Sequence, residues 1–165
     1  MAAPMKPVKL SELIEPLEFD FEEIGAFVDL ENGCVVMVER SVLSDVEEGD
    51  EEGLSDIPDW QKDEVETARA IVADSGKRFV APPDKYEFHE YRQMERFIGT
   101  VRNAEAADQL WQAIEGKGAF RYFKDTADRL GLLNRWFQYR NDAVKEFVVE
   151  WAEDNNVPYE DDVKH

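Results

Sequence analysis

Cysteine and histidine are nearly missing from this chain. Cys34 is the only cysteine, so no internal disulfide can form. It lies in an apolar stretch that suits an inert core thiol. His89 and His165 are the only histidines, so a Cys/His zinc set cannot be assembled. No apolar run approaches membrane-spanning length, and the start of the chain lacks the core of a signal peptide. A reducing cytoplasm is therefore the expected setting, with no membrane partner. Two catalytic signatures are absent as well. The chain has no GxSxG elbow, and Gly116-Lys117-Gly118 is too short for a phosphate loop and has Gly where Ser or Thr would follow the lysine. No metal and no cofactor is expected, although so acidic a chain leaves a carboxylate-only metal site open.

Positive charge is also scarce. Nineteen Lys and Arg face 38 Asp and Glu, a formal net charge of -19. That balance disfavours non-specific binding of nucleic acid or anionic lipid by the whole molecule. It fits a well-solvated protein, a basic partner, or mimicry of a nucleic-acid backbone. A hydrophobic content of 43% and an aromatic content of 12% exclude general disorder. The length fits one domain, residues 1–165, with an α/β part at 9–85, a helical part at 86–155 and a tail at 156–165.

Residues 1–8 hold two prolines and read as loose. Ser11 is placed to cap a short helix carrying Leu13, Ile14 and Leu17, which Pro16 limits. Ile24 to Leu30 and Cys34 to Glu39 read as two strands. Asn32-Gly33 between them suits a two-residue turn that pairs Leu30 with Val35, Val28 with Met37, and Phe27 with Val38. Residues 39–66 carry twelve Asp or Glu against Arg40 and Lys62 alone. Within them, 45–56 is expected to be an acidic loop, without the ligand spacing of an EF-hand. Pro58 opens a helix with Trp60, Val65, Ala68, Ile71 and Val72 at helical spacing, and Gly76 ends it. A third strand is expected at Arg78 to Ala81.

From Tyr86 the pattern is helix after helix. Tyr91, Met94, Ile98 and Val101 form one stripe. Ala107, Leu110, Trp111 and Ile114 form the next, capped by Asn103. Gly116 and Gly118 break the helix. Phe120, Phe123, Ala127 and Leu130 make a third stripe, stopped by Gly131. Leu133, Phe137, Val144, Phe147, Val148 and Trp151 line the last helix. Phe120, Phe123, Trp136 and Phe137 are expected to form the core between the last two helices.

The charge layout of 116–145 stands apart. Lys117, Arg121, Lys124, Arg129, Arg135, Arg140 and Lys145 face only Asp125, Asp128 and Asp142, a local excess of four positive charges. Arg121 with Asp125 and Lys124 with Asp128 have the spacing of surface ion pairs, worth about 0.3–0.5 kcal/mol each. Arg140 falls inside the apolar stripe of its helix. It is either tied to a partner carboxylate or an anion-binding group at the floor of a cleft. Tyr139 falls on the other side and is expected at the surface. His89, between Glu87 and Glu90, has the makings of a general base but sits where an ordinary polar histidine also would.

The run Gly116-Lys117-Gly118-Ala119-Phe120-Arg121-Tyr122-Phe123-Lys124-Asp125, followed by Trp136-Phe137-Gln138-Tyr139-Arg140, resembles a bacterial family of uncharacterised UPF-type proteins. Its pattern looks like G-K-G-A-F-R-x-F-K-D, then W-F-x-[FY]-R. The similarity extends to Met94–Ile98 and Ala107–Ile114. The resemblance implies a bacterial cytoplasmic protein and brings no activity with it.

The resulting expectation is an α+β protein: a small antiparallel sheet, a hairpin plus a third strand, followed by a helical C-terminal half. The expected role is a non-enzymatic binding or regulatory module. Its surface would use Lys117, Arg121, Lys124, Arg135, Tyr139 and Arg140 to hold an unidentified protein or anionic ligand. A carboxylate-based enzyme, with or without Mg²⁺, and an acidic nucleic-acid mimic using residues 45–66 or the tail are the alternatives.

Overall fold

A computed structural model describes residues 5–18, 22–49 and 51–163, with the Glu51 side chain left aside. The fold is α+β, as expected. The chain divides into two compact units, Met1–Pro83 with Val148–His165, and Asp84–Phe147.

The first unit is built on an antiparallel pair, β2 (Ile24–Asp29) and β3 (Cys34–Glu39). The two-residue turn does not form. A four-residue connection, 30–33, moves the register by two, so Val28 faces Val35 and Phe27 faces Val36. The cause is Asp29. Its carboxylate accepts from the Glu31 and Asn32 backbone N–H groups at 3.1 and 3.3 Å and from Asn32 Nδ2 at 2.9 Å, while its carbonyl accepts from Gly33 N at 2.8 Å. A shift of two leaves every side chain on its expected face, because strand side chains alternate with period two.

Gly33 closes this turn at φ +67°, and an added Cβ would lie 2.7 Å from the Pro7 carbonyl oxygen and 2.8 Å from Lys6 Cβ. Both the left-handed backbone and the close approach demand glycine. Gly33→Ala should therefore cost about 2–3 kcal/mol in urea unfolding. A loss below half a kcal/mol would show that the 5–8 segment does not rest on this turn.

The third strand is β4 (Phe79–Val80), on the far side of β2, giving the order β3-β2-β4. Arg78, just before it, reaches back to Asp29 with Nε at 3.0 Å and Nη2 at 3.1 Å. The Arg78 guanidinium also lies 4.8 Å from the Phe79 ring centroid. Asp29 is 2% exposed and is the one buried charged residue among those described. Burial alone would raise its carboxyl pKa, but Arg78 and Asn32 outweigh that and hold it below its ordinary value.

The acidic stretch expected as a loop is helical. α2 (Arg40–Glu48) and α3 (Glu51–Ser55) replace it, with Gly49 between them as a left-handed cap and Asp50 outside the described residues. Val42 of α2 is buried with Val38, Val65 and Ala68, and Leu43, Val46, Leu54 and Ile57 pack around them. These apolar residues recur at helical intervals between the carboxylates, a pattern that a count of charges hides. A short 3₁₀ turn, Asp59–Gln61, leads into α4 (Lys62–Ala73). Trp60, expected on the buried face, is 77% exposed because it belongs to that turn and precedes the helix.

Residues 5–9 and 157–163 are more ordered than their composition suggests, and residues 1–4 of the expected loose arm lie outside the described residues. β1 (Val8–Lys9) pairs in parallel with β5 (Tyr159–Glu160), in what was expected to be a loose arm and a tail. Val8 and Val157 are buried. Ser11 lies in the first turn of α1 (Leu10–Glu18) rather than ahead of it. Its N–H and Oγ both donate to the Asp162 carboxylate, so the capping group comes from the far end of the chain. That pairing holds the Asp162 carboxyl below its usual value. His165 lies outside the described residues.

The second unit is helical: α5 (Lys85–Phe88), α6 (Glu90–Ile98), α7 (Ala104–Ala113), α8 (Ala119–Arg129) and the beginning of α9 (Leu133–Asp154). Asn103 caps α7 as expected, accepting from Ala106 N at 3.0 Å. The core gathers Met94, Phe97, Ile98, Leu110, Ile114, Phe123, Ala127 and Trp136. Trp136 meets Phe123 edge-on at a ring-centroid distance of 4.9 Å and Phe97 at 5.5 Å. Phe120 and Phe137, both expected here, are instead 48% and 42% exposed. On α8 the buried stripe is Ala119, Phe123 and Ala127, each four residues after the last. The small alanine takes the place expected for its larger neighbour.

Candidate functional site

The second unit contains eleven Lys or Arg and eleven Asp or Glu, so its formal charge is zero. The remaining eight cations and 27 carboxylates belong to the first unit, which thus carries the whole -19. The acidity of the chain is therefore not spread over it. Within the second unit, the cations cluster after Gly116.

Gly116 and Gly118 adopt left-handed backbone conformations, at φ 85° and 77°, between α7 and α8. They let the chain reverse from one helix into the next, which is the helix break expected of them. Gly118 is the N-cap of α8 and, lacking a side chain, leaves the first N–H groups of that helix without a side-chain cap. Lys117 lies just before this end, and Arg121 and Lys124 follow on α8. All three are exposed, Arg121 with 86% of its side chain accessible. Arg121 makes only a loose contact with Asp125 at 3.9 Å, between two exposed side chains. The spacing-based pair of Lys124 with Asp128 is not formed. Lys117, Lys124 and Arg135 make no ion pair among the described residues. Phe120 and Tyr122 stand exposed among these cations, Tyr122 at 56%. The Tyr122 ring leans on Gly118, where a Cβ would lie 3.0 Å from it.

The other expected residues have different surroundings. Arg135 is exposed on α9. Tyr139 is half-buried rather than outward: its ring stacks on Trp136 at 6.4 Å between centroids and meets Phe97 edge-on at 5.5 Å. Arg140 has a carboxylate partner. Its Nε donates to Glu90 Oε1 at 2.5 Å, with 15% of the arginine side chain exposed. On α9 the buried residues Trp136, Val144, Val148 and Ala152 keep a four-residue interval, and Arg140 occupies the gap in that series. The sequence placed it in the stripe correctly but gave no means of finding Glu90, fifty residues away.

His89 is exposed and sits in the left-handed region at φ 53°, joining α5 to α6. Its carbonyl accepts from Arg92 N at 2.9 Å, so its part in the helix junction is made by the backbone. Cys34 is half-buried, and burial together with the neighbouring Asp29 charge pushes its thiol pKa up. Among the described residues no group of three or more His, Cys, Asp or Glu is close enough to hold a metal ion. None of the described helices is long and apolar enough to cross a membrane.

The arrangement at the start of α8 thus offers three accessible cations, uncapped N–H groups and two exposed aromatic rings. It contains no nucleophile and base pair. A model of an uncharacterised protein family, UPF0158, matches residues 4–163 of the chain. A UPF0158 protein of Pseudomonas aeruginosa is 29% identical over 65 residues, which cover 39% of this chain and 42% of that protein. The chain thus aligns with less than half the length of that relative. No solved structure matches.

Proposed function

Because the chain belongs to the uncharacterised protein family UPF0158, which brings no activity with it, we propose a function from its surface alone: a non-enzymatic module that binds an anionic partner at the start of α8. The observation that supports this reading is the lack of internal neutralisation at Lys117, Arg121 and Lys124. Eleven carboxylates share the second unit with these three cations, yet among the described residues the three have one loose contact between them. Exposed aromatics and arginine, here Phe120, Tyr122 and Arg121, are residue types enriched in recognition surfaces. The helix end adds its own positive potential to the same spot.

The test is an NMR titration of the full chain with polyglutamate and, separately, with a single-stranded oligonucleotide. Amide shifts should concentrate in 116–125 for at least one of them and should be lost in Arg121→Glu with Lys124→Glu. If neither these polyanions nor an acidic amphipathic peptide moves these amides, the reading is wrong. The mimic reading of residues 45–66 calls for charge reversal at exposed sites such as Glu47 and Glu52. Deleting the stretch would remove Val46 and Leu54 from the core they pack on.

A further inference from the structure

We infer that the occupant of the α8 face is an acidic amphipathic segment of a partner protein, a refinement that rests on the binding role proposed above. The face is chemically mixed. Phe120, 48% exposed, lies one turn before Lys124, and Lys124 lies one turn after Arg121, so one flank of α8 carries an apolar ring beside two cations, while Tyr122 lies on the other flank against Gly118. A free phosphate or an isolated carboxylate would satisfy the charges and leave the Phe120 ring wet. An amphipathic segment supplies carboxylates and apolar side chains together. Arg121 and Lys124 are separated by about 4.5 Å along the helix axis, the rise of three residues. Carboxylates three or four residues apart on a partner helix have the matching interval.

Two further features weigh against a nucleic-acid strand as the occupant. The rings best suited to receive bases are committed elsewhere, Trp136 and Tyr139 to the core and one side of Tyr122 to Gly118. A long polyanion would also outrun three cations on a protein whose net charge is -19, while a short acidic segment ends where the cations end. The Arg121–Asp125 contact, at 3.9 Å between exposed groups, is readily exchanged for a partner's carboxylate.

The experiment titrates the full chain with a synthetic amphipathic peptide of Glu and Leu, its scrambled isomer, oligothymidylate and inorganic phosphate, by calorimetry and NMR. The amphipathic peptide should bind saturably, at least about tenfold more tightly than the scrambled one. Both Phe120→Ala and Arg121→Glu with Lys124→Glu should weaken it about tenfold or more, roughly 1.4 kcal/mol. Circular dichroism of these surface variants should match the parent. Equal binding of the scrambled peptide, or insensitivity to Phe120→Ala, overturns the inference by showing recognition of charge alone. Saturable binding of oligothymidylate or phosphate at 116–125 without the peptide also overturns it, while leaving the binding role intact. Absence of binding by all four probes overturns both.

Discussion

Arg78→Met should destabilise the protein by about 3 kcal/mol at neutral pH, measured by urea unfolding. The substitution keeps most of the side-chain volume and removes both guanidinium bonds to Asp29. The Asp29 carboxylate, 3% exposed on its side chain, would then be buried with only the Glu31 and Asn32 donors to hold it. Breaking a buried pair from one side typically costs 3–5 kcal/mol, because the remaining charge is left uncompensated. The lower end applies because Arg78 itself is about one-third exposed and hydrates easily when the partner is lost. The pH dependence tests the cause. In the parent protein the Asp29 carboxyl lies below its unfolded value near 3.8, so its stabilisation is complete above that value and fades as pH falls through the folded one. In Arg78→Met, burial becomes the dominant influence and raises the carboxyl pKa, so protonation relieves the variant. The stability gap between parent and variant should therefore narrow from pH 7 to pH 4. A gap that widens over that range would show that Arg78 acts by packing on Phe79 and not by neutralising Asp29.

Trp136→Ala should cost about 4 kcal/mol, the usual range for emptying a large aromatic site. Trp136 is 1% exposed and joins Phe97, Phe123 and Tyr139 in one cluster of rings. Trp136→Phe should cost only about 1 kcal/mol. Its smaller ring loses contact area, but the indole Nε1–H is buried and without a hydrogen-bond partner. Removing that N–H recovers a desolvation cost of about 1–3 kcal/mol. A loss for Trp136→Phe as large as that for Trp136→Ala would mean that the N–H is satisfied in solution. The same pair of variants addresses the proposal that residues 1–165 are one domain. Hydrogen exchange in Trp136→Ala should then show Val38 and Val65 losing protection together with Phe97 and Phe123. Loss confined to the second group would divide the chain into two cooperative blocks.

The sequence made the helical half legible wherever apolar residues repeat without interruption. Asn103 as a cap, the break at Gly116 and Gly118, and the stripes through Met94, Leu110 and Phe123 follow from local pattern, and local pattern is what a helix reads. It misplaced Phe120 and Phe137 because a stripe of large residues looks more buried than one of alanines, although Ala119 and Ala127 fit where helices approach closely. The acidic helices α2 and α3 were hidden by their own charge. Val42, Val46 and Leu54 carry a helical period whose partners, Val38 and Val65, lie on other elements. Asp29 was invisible for another reason. Nothing near it in sequence announces Arg78, and without that pairing the Asn32-Gly33 turn looked like an ordinary two-residue hairpin. The site itself was half legible. Sequence spacing located the cations but could not separate Arg140, engaged by Glu90, from Lys117 and Lys124, which no carboxylate engages among the described residues.

The pairing of β1 with β5 also has a mechanical meaning. The two strands run parallel, so tension applied at the start of β1 and beyond the end of β5 shears them lengthwise. Their hydrogen bonds then share the load instead of opening one at a time. The Ser11–Asp162 contact lies just past the pair and adds to the same clamp. Everything from Leu10 to Pro158, including the neutral helical unit and its exposed cations, lies in the chain between the two clamped strands. A pull from the far end meets the Asp162–Ser11 contact before the β1–β5 pair, while a pull from the start of the chain also loads the hairpin through the Lys6 N–H bond to the Leu30 carbonyl.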